Sequence, residues 1–275
     1  GYAKRTTLDT YRVQRRRGRG LIGLTKKEED QVEHLFVATT HHYLLFFTNR
    51  GWVHRLRAFE IPQASRTARG LPVINLINIQ PDEQVTAIVP VVGLQGDGYL
   101  TMVTKGGTIK RTSFAEFGNI NRMGLVAINL VGDDELGWVL HTDGEKQLVI
   151  ATRNGMSIRF KEEDARPMGR NSSGVKGISL VGEDRVVGMV VADPTAQLLT
   201  VCAHGYGKRT PFGANQEPEG DAPPDDDGEA LAAPETAPAE AASTEPASHD
   251  AEPAEEEAGE DVSSSYHYRT QRRGG

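Results

Sequence analysis

Apolar residues in this chain fall in short runs broken by turn residues, and the runs return at near-constant spacing. Strand-like runs cover 43–48, 99–104, 147–152 and 197–202. Turns containing glycine follow them, as in Asn49-Arg50-Gly51, Lys105-Gly106-Gly107 and Arg153-Asn154-Gly155. The turn glycine opens a recurring pattern, Gly-x-x-x-Arg. It reads Gly1-Tyr2-Ala3-Lys4-Arg5, then Gly51-Trp52-Val53-His54-Arg55, then Gly107-Thr108-Ile109-Lys110-Arg111. It returns as Gly155-Met156-Ser157-Ile158-Arg159 and Gly205-Tyr206-Gly207-Lys208-Arg209, so the intervals are 50, 56, 48 and 50 residues. Run, glycine turn and second run together predict a β-hairpin.

Earlier in each repeat an acidic pair precedes another apolar stretch. Glu29-Asp30 precedes 32–38, Asp82-Glu83 precedes 85–92, Asp134-Glu135 precedes 136–140, and Glu183-Asp184 precedes 186–191. Earlier still stand Gly20-Leu21-Ile22, Gly70-Leu71-Pro72-Val73, Gly124-Leu125-Val126 and Gly174-Val175-Lys176. Each repeat thus offers about four short strands and no long amphipathic helix. The reading is an all-β fold, a propeller-like array of about four four-stranded blades with partial blades at the ends. Near-continuous runs such as Leu44-Leu45-Phe46-Phe47 predict strands buried on both faces.

Composition divides the chain into three parts: bladed residues 1–215, an insert at 216–263, and the start of a further blade at 264–275. The insert is rich in Ala, Pro, Glu and Asp and too poor in apolar residues to offset its conformational entropy, so disorder is expected there. The formal charge of the whole chain is −7. Residues 217–261 hold 17 acids and no Lys or Arg, and the rest of the chain carries 31 basic against 21 acidic residues, a net +10. A basic body beside an acidic segment points to nucleic acid or membrane contact. No apolar run approaches the roughly 18 residues of a membrane span, and no signal peptide is expected. The lone cysteine, Cys202, excludes an intrachain disulfide and a thiolate zinc site. It takes the slot of Thr48, Thr104 and Thr152 and is read as a packing residue. Because the chain begins at Gly1 and stops inside a motif at Gly275, it is expected to be a fragment of something longer.

The most basic motif is Gln14-Arg15-Arg16-Arg17-Gly18-Arg19-Gly20, and Gln271-Arg272-Arg273-Gly274-Gly275 stands at the corresponding place before a new repeat. Arginine forks bind phosphate bidentately, and glycines let the backbone approach it. A loop of this kind holds a duplex by its phosphates and leaves base sequence unread. Weaker counterparts are Arg66 with Arg69-Gly70, Asn121-Arg122-Met123-Gly124, and Gly169-Arg170-Asn171. With the hairpin residues Lys4, Arg5, Arg55, Lys110, Arg111, Arg159, Lys208 and Arg209, they predict a curved basic track for DNA. A blander role for single hairpin cations is protection of strand edges from aggregation. Four arginines interleaved with glycine exceed that need.

These residues resemble the GyrA-box, Gln-Arg-Arg-Gly-Gly-Lys-Gly, which marks the C-terminal domain of the DNA gyrase A subunit. Gln14, Arg15, Arg16, Gly18 and Gly20 match it, Arg19 replaces Lys, and Arg17 stands where the family has Gly. Gln271 to Gly275 match its first five positions. The resemblance implies a β-pinwheel, a propeller variant whose blades exchange strands, that wraps double-stranded DNA in support of negative supercoiling. It implies no cofactor in this chain, but ATP and Mg²⁺ for the holoenzyme, with the cleaving Tyr elsewhere. The implied partners are the gyrase B subunit plus a second copy of the gyrase A subunit. The bacterial cytoplasm, beside the nucleoid, is the expected location.

Two other readings compete: the equivalent domain of topoisomerase IV, and a propeller that binds proteins. His41-His42 lacks a second cluster for a metal, and Gly205-Tyr206-Gly207-Lys208 lacks the first glycine of a phosphate loop. No catalytic arrangement stands out. The acidic stretch is expected either to be an inert linker or to compete with DNA for the basic surface.

Overall fold

Fifteen strands form among residues 1–16, 18–25 and 30–213, the part described by the computed structural model. They are β1 (Tyr2–Ala3), β2 (Tyr43–Thr48), β3 (Trp52–Arg57), β4 (Leu71–Pro72), β5 (Val85–Val91), β6 (Tyr99–Thr104), β7 (Thr108–Ser113) and β8 (Leu125–Val126). Then follow β9 (Leu136–Thr142), β10 (Gln147–Thr152), β11 (Ser157–Lys161), β12 (Val175–Lys176), β13 (Val186–Val191), β14 (Gln197–Val201) and β15 (Gly207–Pro211). Arg17, the acidic insert 216–263, the last segment 264–275 and its Gln271, Arg272 and Arg273 lie outside the described residues.

The four expected hairpins form, β2–β3, β6–β7, β10–β11 and β14–β15, all antiparallel. Gly51 and Gly107 show why glycine recurs at their turns. Their φ angles are 78° and 88°, and a Cβ would lie 2.5 Å from Ile128 O or 2.8 Å from Ile178 O. Those carbonyls belong to chain that docks on the hairpin: the amides of Ala127 and Ile128 donate to Gly51 O, and those of Gly177 and Ile178 to Gly107 O.

The first three hairpins take their further strands from later repeats, as does β1. From the next repeat come β5 against β2, β9 against β6, and β13 against β10. From the repeat after that, β4 pairs with β1, β8 with β3, and β12 with β7. The complete sheets therefore run β5-β2-β3-β8 and β12-β7-β6-β9, while β11-β10-β13 has three strands and β14-β15 two. A repeat in sequence is not a blade in space. The register slips at one place in each of the three larger sheets, at Phe47/Thr48, Val103/Thr104 and Ala151/Thr152. There the threonine hydroxyls accept the amides of Trp52, Thr108 and Met156 at 3.3, 3.0 and 3.2 Å, closing the hairpin turn.

The acidic pairs cap the same turns across the sheet. Asp134 Oδ1 accepts Gly106 N at 2.8 Å, and Asp184 Oδ1 accepts Asn154 N at 3.0 Å. Glu83 takes the Thr48 hydroxyl and, at 3.0 Å, Gln80 N. Sheets stack through alternating cores. Leu45 and Phe47 pack with Leu100, Met102 and Phe117 on one face of β2, and Leu44 and Phe46 pack with Leu56, Ile61 and Ile77 on the other. The run Leu44 to Phe47 is 0–2 % exposed, as its unbroken apolarity predicts.

Two expectations fail in the first repeat and one in the last. Residues 20–22 and 32–38 form no strand, and Val32, Leu35 and Val37 stay exposed. No hairpin strand lies beside either stretch among the described residues. Cys202 is exposed rather than packed, because β14 has only β15 beside it among the described residues.

Candidate nucleic-acid interface

The loop that leads from each Gly-x-x-x-Arg strand to a later short strand carries the basic motifs; we term it the junction loop. In the first of these, Gly18 N donates to Arg15 O at 2.8 Å, closing a tight turn. A Cβ on Gly18 would sit 3.0 Å from Gln14 Oε1 and 3.1 Å from Arg15 O, and Gly20 has φ 73°. The left-handed backbone at Gly20 favours glycine, and a side chain at Gly18 would press on Arg15 O. Gln14 Nε2 reaches Arg12 O at 3.4 Å. Arg15, Arg16 and Arg19 are exposed, and their guanidinium groups hold no partner among the described residues. Free, solvated guanidinium groups beside a glycine turn are what a phosphate backbone can use.

A second basic surface lies at an open groove of about 840 Å³. Arg55 and Arg57 line one side, from β3, and Asn121 and Arg122 the other, from the junction loop before β8. Arg57 stacks its guanidinium 3.5 Å from the centre of the Tyr43 ring and donates to His41 O at 2.6 Å. Arg55 lies 5.7 Å from the same ring. Neither Arg55 nor Arg122 has an ion-pair partner among the described residues. Glu60, also on the groove, accepts Arg57 N at 2.6 Å.

Five other motif cations, Lys4, Arg5, Lys110, Arg111 and Arg159, are engaged within the fold, which corrects the expectation that every motif cation faces the track. Lys110 is 0 % exposed, and Arg111 is 5 % exposed with its guanidinium 4.4 Å from the Tyr99 ring centre. Burial pushes the Lys110 ammonium down to about 8. Lys110 donates to Ala127 O at 2.8 Å and Ser172 O at 3.1 Å, and also to Arg170 O. Lys4 likewise donates to Gly23 O, Ser65 O and Arg66 O, and burial lowers its ammonium too. Arg5 Nε donates to Ile61 O at 3.1 Å, and Arg159 donates to Gln147 Oε1 and Phe212 O, both at 2.6 Å. Backbone bridges Arg5–Gln63 and Arg111–Pro167 show the reason: the motif strand is the dock for a junction loop.

Junction-loop arginines divide likewise. Arg66 donates to Ile22 O, Arg69 pairs with Asp30 at 3.0 Å and stacks on Tyr2, and Arg170 lies 3.9 Å from Glu116. Lys208 and Arg209 are exposed on the two-stranded sheet. Arg12, Arg57, Arg166 and Lys176 are not among the cations the sequence assigns to the track, and Arg12, Arg166 and Lys176 are exposed. Only Arg57 carries a signal in the sequence, because alternation along β3 puts it on the face of Arg55.

Strand-exchanging β-blades with exposed arginine loops define a class of protein, a propeller-like β-scaffold. The chain belongs to the family described as DNA gyrase C-terminal domain, beta-propeller, whose model matches residues 1–39, 42–91, 98–141 and 146–193. It is 51 % identical over 179 residues to the DNA gyrase A subunit of Halalkalibacterium halodurans, covering 65 % of this chain and 22 % of that protein. The gyrase A subunit of Haloquadratum walsbyi is 45 % identical over 215 residues, covering 76 % and 25 %. The chain therefore spans about a quarter or less of these relatives. Among solved structures, the C-terminal domain of DNA topoisomerase IV superposes with TM-score 0.63 at 28 % identity, covering 77 % of this chain and 64 % of that one. A DNA gyrase A C-terminal domain gives 0.57 at 24 %, covering 75 % and 67 %, which speaks for the fold alone.

Proposed function

We propose that this chain binds double-stranded DNA through its phosphates, without reading sequence, and wraps it in support of negative supercoiling by a type IIA topoisomerase. The carrying observation is the exposed, partner-free set Arg15, Arg16 and Arg19 on a glycine turn, with Arg55 and Arg122 as a second point of contact. Bending 20–30 bp of duplex by 40–90° costs roughly 1–6 kcal/mol, which several phosphate contacts offset. The gyrase reading is preferred to topoisomerase IV because the matched relatives at 45–51 % identity are gyrase A subunits. In this reading, strand cleavage and the ATP and Mg²⁺ requirement belong to the longer protein. So do a cytoplasmic setting and assembly with the gyrase B subunit, together with a second copy of the A subunit.

Binding of linear duplexes of unrelated sequence, measured against salt, tests it. Affinity should fall steeply and equally for all sequences as salt rises. A flat plot of log affinity against log salt sinks the proposal, and a scaffold for proteins would bind no duplex at all.

A further inference from the structure

Lys4 and Lys110 share one geometry. Lys4 Nζ donates to Gly23 O at 2.8 Å and Ser65 O at 3.4 Å, and to Arg66 O. Lys110 Nζ donates to Ala127 O at 2.8 Å and Ser172 O at 3.1 Å, and to Arg170 O. Counted from the glycines that open the short strands, two acceptors coincide. Gly23 and Ala127 lie three residues after Gly20 and Gly124, while Arg66 and Arg170 lie four before Gly70 and Gly174. An ammonium that satisfies several carbonyls anchors a loop that has no sheet ladder of its own.

The slot between these lysines is filled by His54. It is 3 % exposed, and neither ring nitrogen has a hydrogen-bond partner. An imidazole is shorter than a lysine side chain, and its ring lies against the junction-loop backbone, where a Cβ on Gly124 would be 2.5 Å from a ring carbon. The loop it faces carries the partner-free Arg122.

We propose that Lys4 and Lys110 are positioning residues that clamp the junction loops of 65–70 and 170–174, whereas His54 leaves loop 121–124 without a lysine clamp, so that Arg122 adjusts to a bound duplex. The last clause rests on the DNA-binding reading; the clamp does not.

Amide hydrogen exchange on the full chain without DNA tests the clamp. Lys110→Met should quicken exchange at 170–174 at least about tenfold, the factor that about 1.4 kcal/mol of local stability represents. Protection in β2 and β3 should be kept. Lys4→Met should act likewise on 65–70, and His54→Lys should slow exchange at 121–124. Exchange that rises uniformly along the chain, or stays unchanged, overturns the proposal. With duplex DNA, Lys110→Met should weaken binding about two- to tenfold at an unchanged salt slope, because no phosphate contact is removed. A slope reduced by about one unit would make Lys110 a direct contact and overturn the positioning role. Failure of the unsubstituted chain to bind DNA would overturn the function reading instead, leaving the exchange result to decide the clamp.

Discussion

Lys110 Nζ donates to the carbonyl oxygen of Ala127 at 2.8 Å, tying β7 of one sheet to the residue that follows β8 of another. Burial is the main cause that brings this ammonium down from 10.5 to about 8, with Arg170 adding to the fall and Glu116 opposing it. Between those values the unfolded chain holds a proton that the folded chain has released, so stability rises with pH across that window. Thermal unfolding followed from about pH 7.5 to about pH 10 should show the unsubstituted chain gaining on Lys110→Met by something of order 1–3 kcal/mol. Parallel curves for the two proteins would show that the ammonium stays charged throughout.

Strand exchange makes a second prediction, through two glycines at equivalent turns. Gly51 has φ 78° and a Cβ there would meet Ile128 O at 2.5 Å, whereas Gly155 has φ 88° and nothing within 4 Å. Gly155→Ala should cost only the left-handed backbone penalty, about 1–2 kcal/mol. Gly51→Ala adds displacement of the docked chain after β8 and should cost about 1–3 kcal/mol more. Urea unfolding of the two variants checks this, and equal costs would mean that no later repeat docks on β3.

Hairpins were legible in the sequence because each is a local event: an apolar run, a glycine that needs positive φ, and a second run. The partners of those hairpins were not legible. Spacing gives the order of Leu125 and Val126 along the chain, but nothing local says that they pair with Val53 and Trp52 rather than with their own repeat. The same gap explains the site. Arg55 and Arg111 occupy one slot of one motif, yet Arg55 is exposed and Arg111 is 5 % exposed, because a junction loop covers the second and not the first. Arg15, Arg16 and Arg19 were readable since an exposed loop gives no element the chance to bury them.

Removing 217–261 takes away 17 acids and no Lys or Arg. If that charge competes with DNA for the free arginines, the shortened chain should bind duplex more tightly at low salt. The gain should fade as the Debye length drops to about 8 Å at physiological ionic strength. Titration of both chains at low and moderate salt decides this; unchanged affinity at low salt makes the stretch a passive linker.

Substitutions within one motif should separate contact from support. Arg15, Arg16 and Arg19 changed together to Gln should lower the salt slope by up to about 0.9 for each phosphate they had neutralised, with affinity falling alike for every sequence. Arg122→Gln should lower the slope by about one unit and leave unfolding within about 0.5 kcal/mol of the unsubstituted chain, as for other exposed sites. Arg111→Gln should do the reverse. Its guanidinium is stacked on Tyr99 and 5 % exposed, so the damage falls on stability and the slope stays put. Salt titrations paired with unfolding curves on these variants distinguish the two roles. If Arg111→Gln lowered the slope while Arg122→Gln did not, the DNA surface would lie on the docked strand rather than on the open groove.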